Sequence, residues 1–345
     1  MTTDNGQRPM DNWGLLGNEW AVEMLKQHLR GDSVRHAYLF TGPPGMGRRT
    51  LALRFTQALN CTNPTAPDEP CGKCKTCQQI ERMQFADLAI VQAEKEGGTL
   101  KVEPIRSLRQ SLTLKPYQGK YKVALILRFQ EANASAANAL LKTLEEAPAH
   151  VVLLLTADHG DQLLPTIVSR CEELRLRPLP VEAVENFLRE RGAGKEAALL
   201  LAHISGGRPG QALRLMENKQ VLDFRVKQLD EMQTLLRSTR RGRFAYAEKL
   251  TKQKKGEAEG EEGFRETMLL WLSFWRDVFM VATGAKSPLT NVDYTEAVTS
   301  LARMLSLKEA RKLVSDAENA IDKLDRNVNS RLLAEVVLMD WPKNP

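Results

Sequence analysis

The chain has 345 residues, 42% of them hydrophobic and 27% charged, enough for two or three domains of ordinary globular composition. No uninterrupted apolar run approaches the ~18 residues of a membrane span. Forty-nine Lys and Arg against 43 Asp and Glu leave a formal charge of +6, which permits contact with nucleic acid or an acidic partner and requires neither.

The opening segment "MTTDNGQRPMDNW" is polar and has no apolar core, so it does not read as a secretory signal and the cytoplasm is the expected compartment. From residue 14 to 178 helix-like and strand-like segments alternate. "NEWAVEMLKQHLRG" has helical spacing at Val22, Leu25 and Leu29 and a stop at Gly31. "HAYLFTG" reads as a buried strand and "RTLALRFTQALN" as a helix. "ADLAIVQA", "KVALILRF", "VVLLLTA" and "CEELRLRPL" read as further strands, with a helix from Ser135 to Pro148 between two of them. This alternation predicts a parallel sheet covered on both faces, closed by Pro178 and Pro180.

Beyond Val181 the strand signal disappears. "VEAVENFLRERG" and "KEAALLLAHISGG" form a helical pair, "PGQALRLME" starts another helix, and the rest is helical, interrupted by a charged loop at 254–263. "MLLWLSFWRDVFMVA" reads as a buried helix broken by Arg276 and Asp277. The basic cluster Arg237, Arg240, Arg241 and Arg243 lacks interleaved stacking aromatics apart from Phe244 and Tyr246, and is expected to be a solvated helix face. The boundaries fall at 1–178, 179–218 and 219–345.

Between the first strand and the next helix lies a glycine-rich turn. Gly42, four residues including Gly45, and then Gly47 match the start of a phosphate-binding loop. The next residues should be Lys, for the β/γ-phosphates, and Ser or Thr, for Mg²⁺; here they are Arg48, Arg49 and Thr50. The guanidinium of Arg48 is a larger, planar substitute for a compact ammonium. Arg49 removes the metal-binding hydroxyl, and Thr50 is turned by about 100° around the helix from that position. The acidic pair expected at the end of "KVALILRF" is Leu127-Arg128, with Glu131 the nearest carboxylate. Both Mg²⁺-binding elements are lost, so productive ATP binding is not expected, although the loop could still hold an anion at the helix N-terminus.

Cys61, Cys71, Cys74 and Cys77 follow in "NCTNPTAPDEPCGKCKTCQQI". In a reducing compartment four clustered cysteines point to a metal rather than to disulfides. Four thiolates around Zn²⁺ leave no open coordination position, so such a zinc is structural, and Lys73 and Lys75 offset part of its surplus negative charge. Unliganded thiols and an iron–sulfur cluster are the alternatives. Cys171 stands apart and reads as a small buried hydrophobe.

The P-loop, the cysteine knuckle, "NALLKTLEEAP" (138–148), "TADHGDQLLPTIVSRC" (156–171) and "SGGRPGQAL" (205–213) occur in the order seen in AAA+ clamp-loader subunits of bacterial DNA polymerase III. The chain resembles that family clearly from about residue 13 to 215, and "LDRNVNSRLLAEVVL" (324–338) resembles its last collar helices. The resemblance implies an α/β P-loop NTPase-like (AAA+) domain with a zinc-binding insert, a small helical lid and an all-α collar. It implies a place beside tau/gamma and delta subunits in a hetero-oligomeric ring that loads a sliding clamp onto primed DNA. By its losses at Arg48, Arg49, Leu127 and Arg128 the chain falls among the members without nucleotide chemistry of their own. Gly210 stands where an active member has a sensor-2 arginine, with Arg208 two residues earlier. Thr156 falls at the sensor-1 position. Ser169-Arg170-Cys171 matches the motif whose arginine reaches ATP on the adjacent subunit. In this setting the chain has no intrinsic ATPase and belongs to a polymerase by membership. An active clamp-loader ATPase with an unusual P-loop, and a zinc-stabilised nucleic-acid-binding protein outside replication, remain the competing hypotheses.

Overall fold

The computed structural model describes residues 11–95, 97–251, 259–325 and 328–343. The polar N-terminal stretch therefore lies, up to residue 10, outside the described residues. The chain divides into two compact units. One runs to Leu179 and includes Arg208–Gln211; the other comprises Pro180–Gly207 and the chain from Ala212 onward.

The first unit is built on five parallel strands: β1 (Ala37–Thr41), β2 (Leu88–Val91), β3 (Lys122–Ile126), β4 (Val151–Ala157) and β5 (Glu172–Arg175). Their order is β2-β3-β4-β1-β5, with Leu39 opposite Leu155 across the β1–β4 seam. The five strands expected from sequence are all present. Every residue of β1 and β4 is buried, as both central strands must be when helices cover both faces. Alternation sorts their side chains. Tyr38, Phe40, Val123, Leu125, Val152 and Leu154 share one core with α1 (Glu19–Arg30) and α2 (Arg48–Asn60). Leu39, Ala124, Ile126, Leu153 and Leu155 face α4 (Val102–Leu112) and α5 (Ala134–Glu145) on the other side.

Two elements differ from the sequence reading. Helix α4 has no counterpart in the sequence reading; its Pro104 lies in the first turn, where the N–H that proline lacks has no helical acceptor. Helix α5 ends at Glu145, short of Pro148, since a proline disfavours helical backbone in the residue before it. The cysteine segment leads into α3 (Lys75–Glu81), and α6 (Pro165–Val168) is a single turn before β5.

The second unit is helical: α7 (Val181–Glu190), α8 (Lys195–Ser205), α9 (Pro209–Glu217, whose first residues belong to the first unit), α10 (Lys219–Arg237), α11 (Arg240–Thr251), α12 (Glu259–Ala282), α13 (Thr295–Met304), α14 (Leu307–Asp325) and α15 (Ser330–Met339). The expected loop at 254–263 is corrected in part: 259–263 are helical, and 254–258 lie outside the described residues. Met268, Trp271, Phe274, Trp275 and Val278 lie in one core with residues of α10, α13 and α14, and Trp271 and Trp275 meet Trp341 edge-on. The charges that interrupt this helix divide the work. Arg276 is exposed, while buried Asp277 accepts from the backbone N–H groups of Thr290 and Asn291 and so anchors the loop before α13. Among the described residues, no helix is long and apolar enough to cross a membrane.

The basic cluster does not form one solvated face. Arg237, Arg240 and Arg241 are exposed, but Arg243 is 4% exposed. Its guanidinium donates to the carbonyls of Leu235 and Leu236 at the end of α10, and of Leu338, Trp341 and Pro342 at and beyond the end of α15. Helix C-termini leave carbonyls unpaired and carry partial negative charge, so one planar cation satisfies two helix ends together. Arg243→Met is expected to destabilise this unit by about 3 kcal/mol, because buried acceptors are left without donors. Arg243→Lys should recover only part, since an ammonium cannot reach both ends with one fork. Urea unfolding followed by tryptophan fluorescence measures this, Trp271, Trp275 and Trp341 lying in the same core. An unchanged midpoint in Arg243→Met would show that the guanidinium adds nothing.

Candidate functional site: an altered P-loop and a cysteine cluster

The glycine-rich turn leaves the C-terminal end of β1, where phosphate-binding loops of open α/β sheets sit. Gly42, Gly45 and Gly47 all have positive φ, at 140°, 86° and 88°. A Cβ on Gly42 would lie 2.6 Å from the carbonyl oxygen of Leu176, and one on Gly45 would lie 2.8 Å from the backbone nitrogen of Gln211. The loop is thus packed against two other segments of its own unit. The Gly210 N–H donates to the Gly45 carbonyl at 2.8 Å. At the sensor-2 position the backbone itself touches the loop, in place of an arginine reaching toward a phosphate. Burial lowers the pKa of Arg208, two residues before.

Arg48 points inward and is 9% exposed. Its Nη1 lies 2.8 Å from Oδ1 of Asp158, just beyond β4. The Asp158 carbonyl also accepts the Gly42 N–H at 3.0 Å. Asp158 therefore holds the loop at its start and cancels the charge of the residue that replaces the P-loop lysine. Arg49 and Thr50 are both exposed, and Nη2 of Arg49 contacts Sδ of Met83 at 2.7 Å.

The Mg²⁺ side is equally altered. Leu127 is buried, and Arg128 takes a left-handed backbone with φ of 49°. Its Nε donates to Oε1 of Glu131 at 2.8 Å, and the same oxygen accepts the Gly97 N–H. The nearest carboxylate to the lost acidic pair is thus already engaged. Thr156 at the sensor-1 position is 2% exposed, and its Oγ1 accepts the Arg128 N–H at 2.9 Å. That hydroxyl staples β4 to the chain after β3.

The four cysteines converge. Sγ atoms of Cys61, Cys71, Cys74 and Cys77 lie within 4.8 Å of one another, with Cys61 to Cys71 at 3.5 Å and Cys61 to Cys74 at 3.9 Å. Four sulfurs at ~2.3 Å from a tetrahedral zinc stand about 3.8 Å apart. A disulfide would require about 2.05 Å. Backbone N–H groups of Cys71, Cys74 and Cys77 donate to Sγ of Cys61, Cys71 and Cys74 respectively. Burial opposes ionisation at Cys74, but the donated N–H of Cys77 and groups of Thr62 outweigh it and bring its pKa to about 6. Burial pushes the Cys77 thiol up. An all-thiolate set of this geometry fits Zn²⁺. Cys171 is partly buried against the α4/α5 core, and burial pushes its thiol up to about 12, as expected of an inert thiol.

The cysteine insert is tied to α1 and α2. Asp68, 4% exposed, pairs with Arg30 at 2.7 Å and accepts the Trp13 indole N–H through its carbonyl. Glu69 pairs with Lys26, Arg54 pairs with Glu81, and Gln57 donates to the Cys77 carbonyl.

Arg170 follows α6 on the surface, its side chain 36% exposed. Nη1 donates to the Thr166 carbonyl at 2.9 Å, and Nη2 pairs with Glu145 at 2.8 Å. Ser169 donates to the same carbonyl. The partners Asp158 and Glu145 were not singled out from sequence. Only their place within the quoted motifs set them apart.

A five-stranded parallel sheet in this order, a glycine loop after β1, a cysteine cluster after α2 and a helical second unit define the AAA+ clamp-loader class. A family profile described as "DNA polymerase III, delta subunit" matches residues 17–180, and its C-terminal counterpart matches 225–343. The chain belongs to that DNA polymerase III clamp-loader family, on its delta' branch: it is 27% identical to the delta' subunit of Bacillus subtilis over 92% of its own length and 94% of the relative's. It is also 36% identical to the tau subunit of Escherichia coli over 61% of this chain, which spans only about a third of that longer protein. Among solved structures, a gamma-subunit-related protein of Thermotoga maritima aligns over 92% of this chain and 97% of its own at 18% identity, with a TM-score of 0.40, too distant for anything to rest on it.

Proposed function

We propose that this chain is the non-catalytic delta'-type subunit of the clamp loader, assembling with tau/gamma and delta subunits in the cytoplasm and supporting ATP-driven loading of the sliding clamp onto primed DNA. The observation that carries the non-catalytic part is the ion pair between Arg48, just after the loop, and Asp158, just beyond β4. A phosphate group entering there would meet a neutralised cation, and Mg²⁺ would find Leu127 and an engaged Glu131. In this reading residues 179–218 form the lid and 219–345 the collar. Zn²⁺ held by the four thiolates serves the fold only. Arg170 acts in trans, its guanidinium meeting charge that develops on the γ-phosphoryl group of the neighbour's ATP. A groove of 530 Å³ beside α4 and α5, lined among others by Arg106, Arg109 and Lys142, offers positive charge to a DNA backbone.

The purified chain should show no Mg²⁺-dependent ATP hydrolysis, and Arg48→Lys alone should not create any, because the metal ligands stay absent. Turnover by the isolated chain that disappears on replacing Gly47 would overturn this and favour the active-ATPase hypothesis.

A further inference from the structure

Arg170 is held by two groups of different kinds. Thr166 supplies a neutral carbonyl from the turn just before it. Glu145 supplies a carboxylate from a separate element, as the last residue of α5. The side chains of Arg170 and Glu145 are 36% and 50% exposed, so the ion pair is open to an incoming anion.

We propose that Glu145 is a positioning residue that keeps Arg170 paired in cis until a phosphate on the neighbouring subunit displaces the carboxylate. The inference rests on Arg170 acting as the trans arginine. While Glu145 is bound, the charge of Arg170 is cancelled where it is needed. A transferring γ-phosphoryl spreads charge over three equatorial oxygens and outcompetes a single carboxylate for the fork. Because the ion pair is exposed it is weak, and the exchange is cheap. The Thr166 carbonyl, which contributes no net charge, remains as the pivot while Nη2 changes partner. The neighbour's site then gains its arginine only when the ring brings a phosphate within reach, so hydrolysis before clamp and DNA are engaged is held down.

The test uses the reconstituted loader with Glu145→Gln, Arg170→Ala and the double variant in this subunit, comparing ATP hydrolysis with and without clamp and primed DNA. Glu145→Gln should raise the unstimulated kcat roughly twofold, within the reach of a weak exposed ion pair, with KM for ATP unchanged. Glu145→Asp, which keeps the charge, should fall between the two. In the Arg170→Ala background Glu145→Gln should have no effect, which a merely structural role at the end of α5 would not produce. An unchanged or lowered rate in Glu145→Gln, in a ring where Arg170→Ala clearly loses turnover, overturns the latch and leaves the arginine finger standing. A rise that persists without Arg170 also overturns it. Normal turnover in Arg170→Ala itself removes the finger and this inference with it.

Discussion

Arg170→Ala in an otherwise complete loader is expected to produce a clear loss of clamp- and DNA-stimulated ATP hydrolysis and of clamp loading, with the ring still assembled. An arginine supplied in trans contributes on the order of 10³ to 10⁵ in rate in GTPases, because its fork adds to the stabilisation of transferring phosphoryl charge that the P-loop lysine and Mg²⁺ already provide. On the proposed function this arginine serves one site among several in the ring, so the bulk loss is expected to be smaller than the loss at that site. Arg170→Lys should fail as well, since a point charge on a flexible stem does not reproduce bidentate contact. Neither change should disturb the fold: Arg170 is at the surface, and its partners are one exposed carboxylate and one carbonyl. Gel filtration and hydrolysis measured on the same reconstituted sample separate assembly from turnover. An intact Arg170→Ala ring with normal hydrolysis would reduce Arg170 to a partner of Glu145.

The second large effect concerns the metal. Cys74→Ser is expected to abolish stoichiometric zinc, taking metal content from one ion per chain to well below one half. Cys74 does more than supply one ligand: its sulfur accepts the Cys77 N–H and so caps α3. Loss of zinc leaves three thiols held together only by backbone N–H···S contacts and by the ties of the insert to α1 and α2. The sheet should survive, since β1, β3 and β4 are buried by helices independent of the insert. It should not be indifferent, however, because Ile80 and Phe85 belong to the same core as α1 and α2. We expect a fall of about 2–3 kcal/mol, or roughly 5–10 °C in Tm for a unit of this size, together with loosening at Asp68 and Arg30. Elemental analysis and thermal unfolding of the variant and the parent protein, purified without chelator, decide the matter. Iron in place of zinc, or full stability without any metal, would refute the structural-zinc reading.

Local sequence determined what depends on neighbours along the chain. Strands β1 and β4 are runs long enough and apolar enough to be buried on both faces, and no partner is needed to recognise them. The cysteine spacing brings thiolates together through short knuckles, so its geometry is carried by the backbone within the motif. The departure from the P-loop pattern was legible for the same reason: Arg48, Arg49, Leu127 and Arg128 stand at positions whose chemistry is fixed by their offset from a glycine or a strand end. Tertiary structure alone decided what each charged side chain is paired with. Arg48 finds Asp158, Arg128 finds Glu131, Arg170 finds Glu145, and Arg243 is drawn inside by carbonyls from the ends of two other helices. A cation's partner is whichever acceptor the fold places within about 3 Å. Apart from the short-range partner of Arg128, these acceptors come from other elements of the chain. Sequence spacing states that a charge is present; only packing states which charge or carbonyl answers it, and whether water is left between them.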